Sequence, residues 1–197
     1  MTEVEIRLGE LLEPARHRTL RALAAAYHQA TEQAEAVEPE PLHRDAAGRV
    51  LREGELGLPR RADLAVTRGG RTLLRRVESE EPPPFEPVSL LIPGGFTLVV
   101  GPCRWEAVGL RVEARQQAPD WQRLRLWYLD WVQGRPGPAK GGTPLSGAVH
   151  ALTGPAAARG GWVFEADFGS APIAAVAGLV GALAQSGASR LRLGEAY

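Results

Sequence analysis

Residues 171–184, APIAAVAGLVGALA, carry no charged side chain over fourteen positions. A helix that is apolar all round has to be covered on every side, by lipid or by protein. Fourteen residues are too few to cross a bilayer, which takes about 20 in helical form. The stretch therefore predicts a helix over 171–186 buried in a protein core, with Gly187 at its C-terminal cap. Its small residues, Ala174, Ala177, Gly178, Gly181 and Ala182, suit close packing. Each glycine costs about 1 kcal/mol of helix propensity relative to alanine, and close approach is the simplest feature that offsets this.

The flanks of this segment read as strands, 162–167 before it and 190–193 after it. Strand–helix–strand is the pattern of a crossover between parallel strands. In that geometry the carboxyl end of the first strand and the N-terminus of the helix meet at a crevice where ligands often bind. The joining stretch is FEADFGSAP, residues 164–172. It puts Asp167 and Ser170 at that crevice, where they are candidates for a site. The same residues also suit a helix start, with Ser170 as N-cap, Pro172 in the first turn, Asp167 near the positive end of the dipole and Gly169 turning the chain. DFG also occurs in protein kinases, but the glycine-rich phosphate loop, the strand lysine and the HRD segment of that family are absent here.

Periodicity at three- and four-residue steps predicts a long helix over 11–37, ended by Pro39 and Pro41. Residues 43–59 read as a loop or irregular hairpin. Two short strands flank the Arg68-Gly69-Gly70-Arg71 turn. EPPPFEP, 81–87, reads as a stiff connector. It divides an N-terminal portion, 1–80, from a body, 88–197. The body opens with strands at 88–92, 96–101 and 107–114, continues with a helix over 119–133, a glycine- and proline-rich loop over 134–144 and a strand at 147–153, and closes with the unit described above. The expected class is α+β, a mostly antiparallel sheet with helices on one face and a long N-terminal helix.

Composition narrows the function. Twenty-three basic and 23 acidic residues cancel, so no global field favours nucleic acid or an anionic membrane. Lys140 is the only lysine, and with abundant Ala, Gly and Pro this points to a GC-rich bacterial genome. Cys103 is the only cysteine, which excludes an internal disulfide and a cysteine-based metal centre. The N-terminal residues lack the apolar core of a signal peptide. A cytoplasmic protein without a cofactor is the expectation.

Two sets of residues carry candidate chemistry. His150 lies in the expected strand 147–153. With Asp167 as its orienting carboxylate and Ser146, Ser170 or Cys103 as nucleophile, it would make a small hydrolase. Arg104 beside Cys103 would favour a thiolate. No GxSxG elbow and no HExxH pattern accompany these residues. His17 and His28 would be about 16 Å apart along a helix and cannot share a metal, so no metal site is expected. The other set is the helix over 119–133, where Trp121, Leu124, Trp127, Tyr128 and Trp131 form one stripe with Arg123 and Arg125 interleaved. Trp, Tyr and Arg dominate interface hot spots. Arg123, Trp127 and Trp131 are therefore the expected contacts to a partner protein, provided the tryptophans are exposed. The unit over 162–193 resembles small immunity domains that accompany bacterial toxins. That resemblance implies a non-enzymatic accessory module holding a toxin, or a component of a larger complex, as its partner.

Overall fold

The computed structural model describes residues 3–114, 118–134 and 144–195. The architecture is α+β. Its centre is a six-stranded sheet formed by β6 (Val88–Ile92), β7 (Phe96–Val100), β8 (Val108–Ala114), β9 (Ala151–Ala158), β10 (Gly161–Asp167) and β11 (Ala188–Glu195). The strand order is β6-β7-β11-β8-β10-β9, and β11 runs parallel to β7 while the other neighbours are antiparallel. β11 thus lies between β7 and β8. Because β10 and β11 both run antiparallel to β8, they are parallel to each other. The expected crossover unit is present, with one strand between its two arms.

The alternation of β8 and β11 sets the two faces of the sheet. Leu110, Val112, Leu191 and Leu193 point into the core, while Arg111, Glu113, Arg190 and Arg192 point the other way. Helix α3 (Ile173–Gln185) covers the core face with Ile173, Val176, Leu179, Val180 and Leu183. Each such side chain contributes about 1.5–3 kcal/mol by leaving water. Helix α2 (Trp121–Trp131) packs on α3, started by Asp120, whose side chain accepts from the Gln122 N–H.

The N-terminal helix α1 spans Glu3–Thr31, eight residues earlier at its start than periodicity predicts and six earlier at its end. Glu3 and Glu5 favour the earlier start through the helix dipole, and Pro14 is accommodated inside the helix. The end comes early because Ala36–Pro39 form β1, which pairs with β4 (Leu64–Arg68). β4 in turn pairs with β5 (Arg71–Arg75) in a three-stranded sheet of order β1-β4-β5. Within 43–59, β2 (Arg52–Glu53) and β3 (Leu58–Pro59) form a two-residue pairing. Leu8, Leu12 and Ala15 of α1 join the main core, while Ala30 packs with Leu64 and Val66 in a small second cluster. α1 therefore belongs to both parts of the molecule. The expected strand at 147–153 begins only at Ala151, and its last residues run on to Ala158. Residues 135–143, most of the expected loop over 134–144, lie outside the described residues.

Candidate functional site

His150 lies just before β9, at the junction of four segments. It is fully buried. Its Nε2 is 2.6 Å from Glu40 Oε1, and its Nδ1 is 2.9 Å from Asp63 Oδ1 and 3.9 Å from Asp167 Oδ1. Glu40 directly follows β1 and Asp63 precedes β4, so two of the three carboxylates come from the N-terminal portion. Backbone bonds fix their placement. The Glu40 N–H donates to Asp63 O, Arg61 N–H to His150 O, and His150 N–H to Asp167 O, at 2.9, 2.8 and 2.8 Å. Glu40 holds a left-handed backbone, φ 51°, a conformation that costs a non-glycine residue roughly 1–2 kcal/mol. The surrounding hydrogen bonds keep it there. Its Oε2 accepts from the Ser146 hydroxyl at 2.7 Å and from the Ser146 N–H.

The electrostatics follow from this packing. Burial opposes ionisation of Glu40, but the hydrogen bond and charge of His150, with the hydroxyls of Ser170 and Ser146, outweigh it and hold the carboxyl at about 2. Burial likewise opposes the imidazolium. Hydrogen bonds to Asp63 and Glu40 and the charges of Asp167 and Glu40 overcome that and raise His150 to about 10. Asp167 behaves in the opposite way. Burial and the nearby Asp63 carboxylate push it up to about 6 despite the imidazolium beside it.

This arrangement separates the residues that the hydrolase expectation brings together. His150 is a doubly hydrogen-bonded imidazolium with neither nitrogen free to accept a proton, so it cannot serve as a general base. Asp167 is near it, as expected, but the closer carboxylates are Glu40 and Asp63. Ser170 is not the N-cap of α3. Pro172 holds that position without a side-chain bond, and Ser170 Oγ accepts from the Gly147 and Ala148 N–H groups at 2.8 and 3.3 Å. Cys103 is buried in the main core, and burial, with the charges of Glu106 and Glu195, pushes its thiol up to about 12. A thiol at that value is not a nucleophile at neutral pH. Gly169, φ 49°, passes so close to His150 that a Cβ there would overlap the imidazole ring. The FEADFGSAP stretch is therefore the wall of a buried ionic cluster.

The aromatic helix also differs from expectation. Trp127 and Trp131 are only 7% and 6% exposed. The Trp127 indole N–H donates to Ala175 O at 2.9 Å, and Gly178 lies beneath both indoles. The tryptophans fill the α2–α3 interface and are not available as partner contacts, because an eleven-residue helix with one apolar stripe buries that stripe first. Arg123 is exposed and reaches Gln185 and Asp120.

Beside the ionic cluster a cleft of about 210 Å³ separates the small sheet from β9 and β10, lined by Arg60, Arg75, Arg76, Asp63, Glu165 and Asp167 among others. Asp63, His150 and Asp167 place three possible metal-binding atoms within 4.8 Å of one another. Local spacing gave no hint of Glu40 or Asp63, which lie 110 and 87 residues from His150. Pro on both sides of Glu40 is the one local oddity that marked it.

β5 is the other unusual feature. Among the described residues it is an edge strand, paired only with β4, and all five of its residues are exposed, with Leu73 at 69% and Leu74 at 51%. No described helix is long and apolar enough to cross a membrane. No protein-family model, curated protein or solved structure matches this chain.

Proposed function

We propose that the protein is a non-enzymatic protein-interaction module that takes an extended acidic segment of a partner along β5. The observation that carries this reading is the open apolar edge itself. The two-residue turn Gly69-Gly70 makes Arg68 and Arg71 the first hydrogen-bonded pair of the β4–β5 hairpin. The backbone groups of Thr72 and Leu74 then point outward, ready for an added strand. Natural sheets blunt such edges with charge; here Arg71 and Arg75 flank two exposed leucines, so the edge repels all but an acidic strand.

Charge selects the occupant. Arg71, Leu73 and Arg75 face a groove of about 650 Å³ shared with Gln29, Gln33 and Arg68. A second copy paired antiparallel about Leu73 would set Arg71 opposite Arg75, which is repulsive. The chain's own acidic stretch after β5 is engaged elsewhere, with Ser79 on Glu106 and Glu80 on Arg18. A partner strand with the pattern acid–x–apolar–x–acid matches Arg71, Leu73 and Arg75 in register. A toxin presenting such a strand is the partner that the immunity-domain resemblance implies. Hydrolysis is the weaker reading, since it lacks a base at His150.

The test uses the ¹⁵N-labelled protein and two synthetic peptides, one of pattern Glu-Thr-Val-Thr-Glu and one with lysine in place of glutamate. The acidic peptide is expected to shift residues 64–76 and protect the Thr72 and Leu74 amides from exchange, and Arg75→Glu should weaken it at least tenfold. Equal binding of the basic peptide, or unprotected Thr72 and Leu74 amides, would overturn the reading.

A further inference from the structure

We infer that Asp63, His150 and Asp167 form a binding site for a divalent transition cation, independent of the β5 edge. Three features point there together. The first is orientation from behind. Metal-binding imidazoles usually donate their second N–H to a carboxylate, which fixes the ring and strengthens it as a ligand. Glu40 does this at Nε2, 2.6 Å away, and is itself anchored by Ser146. Nδ1 is thereby aimed at the other two carboxylates.

The second is spacing. Ligand atoms at about 2.1 Å from an octahedral ion lie about 3.0 Å apart along a shared edge. Nδ1 and Asp63 Oδ1 are 2.9 Å apart, so that edge exists already. Asp167 Oδ1 is 3.9 Å from Nδ1, and the three atoms lie within 4.8 Å of one another. The ligand carboxylates are held in place, since Asp63 Oδ2, the oxygen left over, accepts from the Val77 N–H at 2.6 Å and Asp167 Oδ1 itself accepts from the Gly169 N–H at 2.9 Å. A cation would replace the proton that now joins His150 to Asp63.

The third is charge and access. Glu40, Asp63 and Asp167 surround a single imidazole, so a divalent ion balances carboxylates that one imidazolium does not. Asp167 keeps 17% of its side chain exposed and lines the cleft, which leaves room for water to complete the coordination. The arginines of the cleft do not fill this position. Arg61 is turned to the carbonyls of Glu40, Val132 and Gln133, Arg60 reaches Glu53, and Arg76, whose charge acts on Asp167 from a distance, directs its guanidinium to Glu106 O. One imidazole with two carboxylates suits Mn²⁺, Fe²⁺ or Zn²⁺ better than an all-oxygen ion such as Ca²⁺.

The experiment is calorimetric titration of chelator-stripped full chain with Mn²⁺ and with Zn²⁺, repeated on Asp167→Asn, with circular dichroism as the fold check. One ion per chain, with at least tenfold weaker binding to Asp167→Asn, is expected. Absence of saturable binding to millimolar ion, or unchanged binding to a folded Asp167→Asn, would overturn the site. Anomalous scattering from wild-type crystals grown with Zn²⁺ decides independently of the variant's folding. A peak at bonding distance from His150 Nδ1 supports the site, and an ion found only elsewhere, or none, refutes it.

Discussion

Glu40 and His150 fix each other's ionisation inside the protein, so the pH response of the fold belongs to single residues. Glu40 sits at about 2 when folded against an ordinary 4.5. Its contribution is present above pH 4.5 and is lost as pH falls toward 2. His150 sits at about 10 against 6.5, so its contribution is present below pH 6.5 and is lost as pH rises through 10. Asp167, raised from 3.8 to about 6, favours the neutral acid when folded, so stability falls as pH rises from 3.8 to 6. In urea titrations the wild type should lose stability between pH 4 and 6 and again between 7 and 10. Asp167→Asn should abolish the first loss and leave the second reduced, since the Asp167 charge is one of those that raise His150; matching slopes from pH 4 to 6 would contradict this account. Glu40→Gln removes one partner of a buried charge and should cost about 3 kcal/mol at pH 7, measured the same way. His150 and Asp167 were both visible as candidates in the sequence. Their meaning was not, because it depends on two carboxylates brought in by tertiary folding and on no local spacing.

Helix α3 contains two glycines with opposite surroundings, and they separate packing from propensity. A Cβ on Gly181 would meet nothing within 4 Å, whereas one on Gly178 would lie 3.2 Å from Trp127 Cδ1. Gly181→Ala should therefore stabilise the protein by about 0.5–1 kcal/mol. Gly178→Ala should destabilise it by about 1 kcal/mol, as the gain in propensity is exceeded by overpacking against the indoles. Thermal melts of the two variants check the pair, and a common sign would be inconsistent with close approach at Gly178. The sequence made the burial of α3 and the stripe on α2 legible, since both follow from side-chain periodicity. That the two stripes face each other was not legible. A tryptophan reads the same in a core as at an interface until the element opposite is known.

At the scale of the whole molecule, the proline-rich segment 81–87 does not mark an energetic boundary. Leu8, Leu12 and Ala15 lie in the main core, and Thr19 and Ser79 both hydrogen-bond the buried Glu106 carboxylate. Arg16 reaches Ala171 O at 2.8 Å. Cleavage within 81–87 should thus leave two fragments that co-elute on size exclusion, and the intact chain should unfold in one transition by both fluorescence and circular dichroism. Fragments that separate under native conditions would show two independent units. The class of the fold and most strands of the body were readable from alternation and turn residues, whereas periodicity carries the first helix through β1, and β9 runs five residues past its expected end. The order of the strands was not readable, because the pairing of β11 with β7 and β8 joins segments distant in sequence, and alternation does not name a strand's neighbours. That pairing has a consequence for the newborn chain. The β6–β7 ribbon and the β8–β10–β9 ribbon leave the ribosome first, and among the described residues only Ala188–Glu195 joins β7 to β8 within the sheet. Until those residues emerge the two halves must wait exposed to chaperones, so a message cut short before them yields an open seam that proteolysis can recognise.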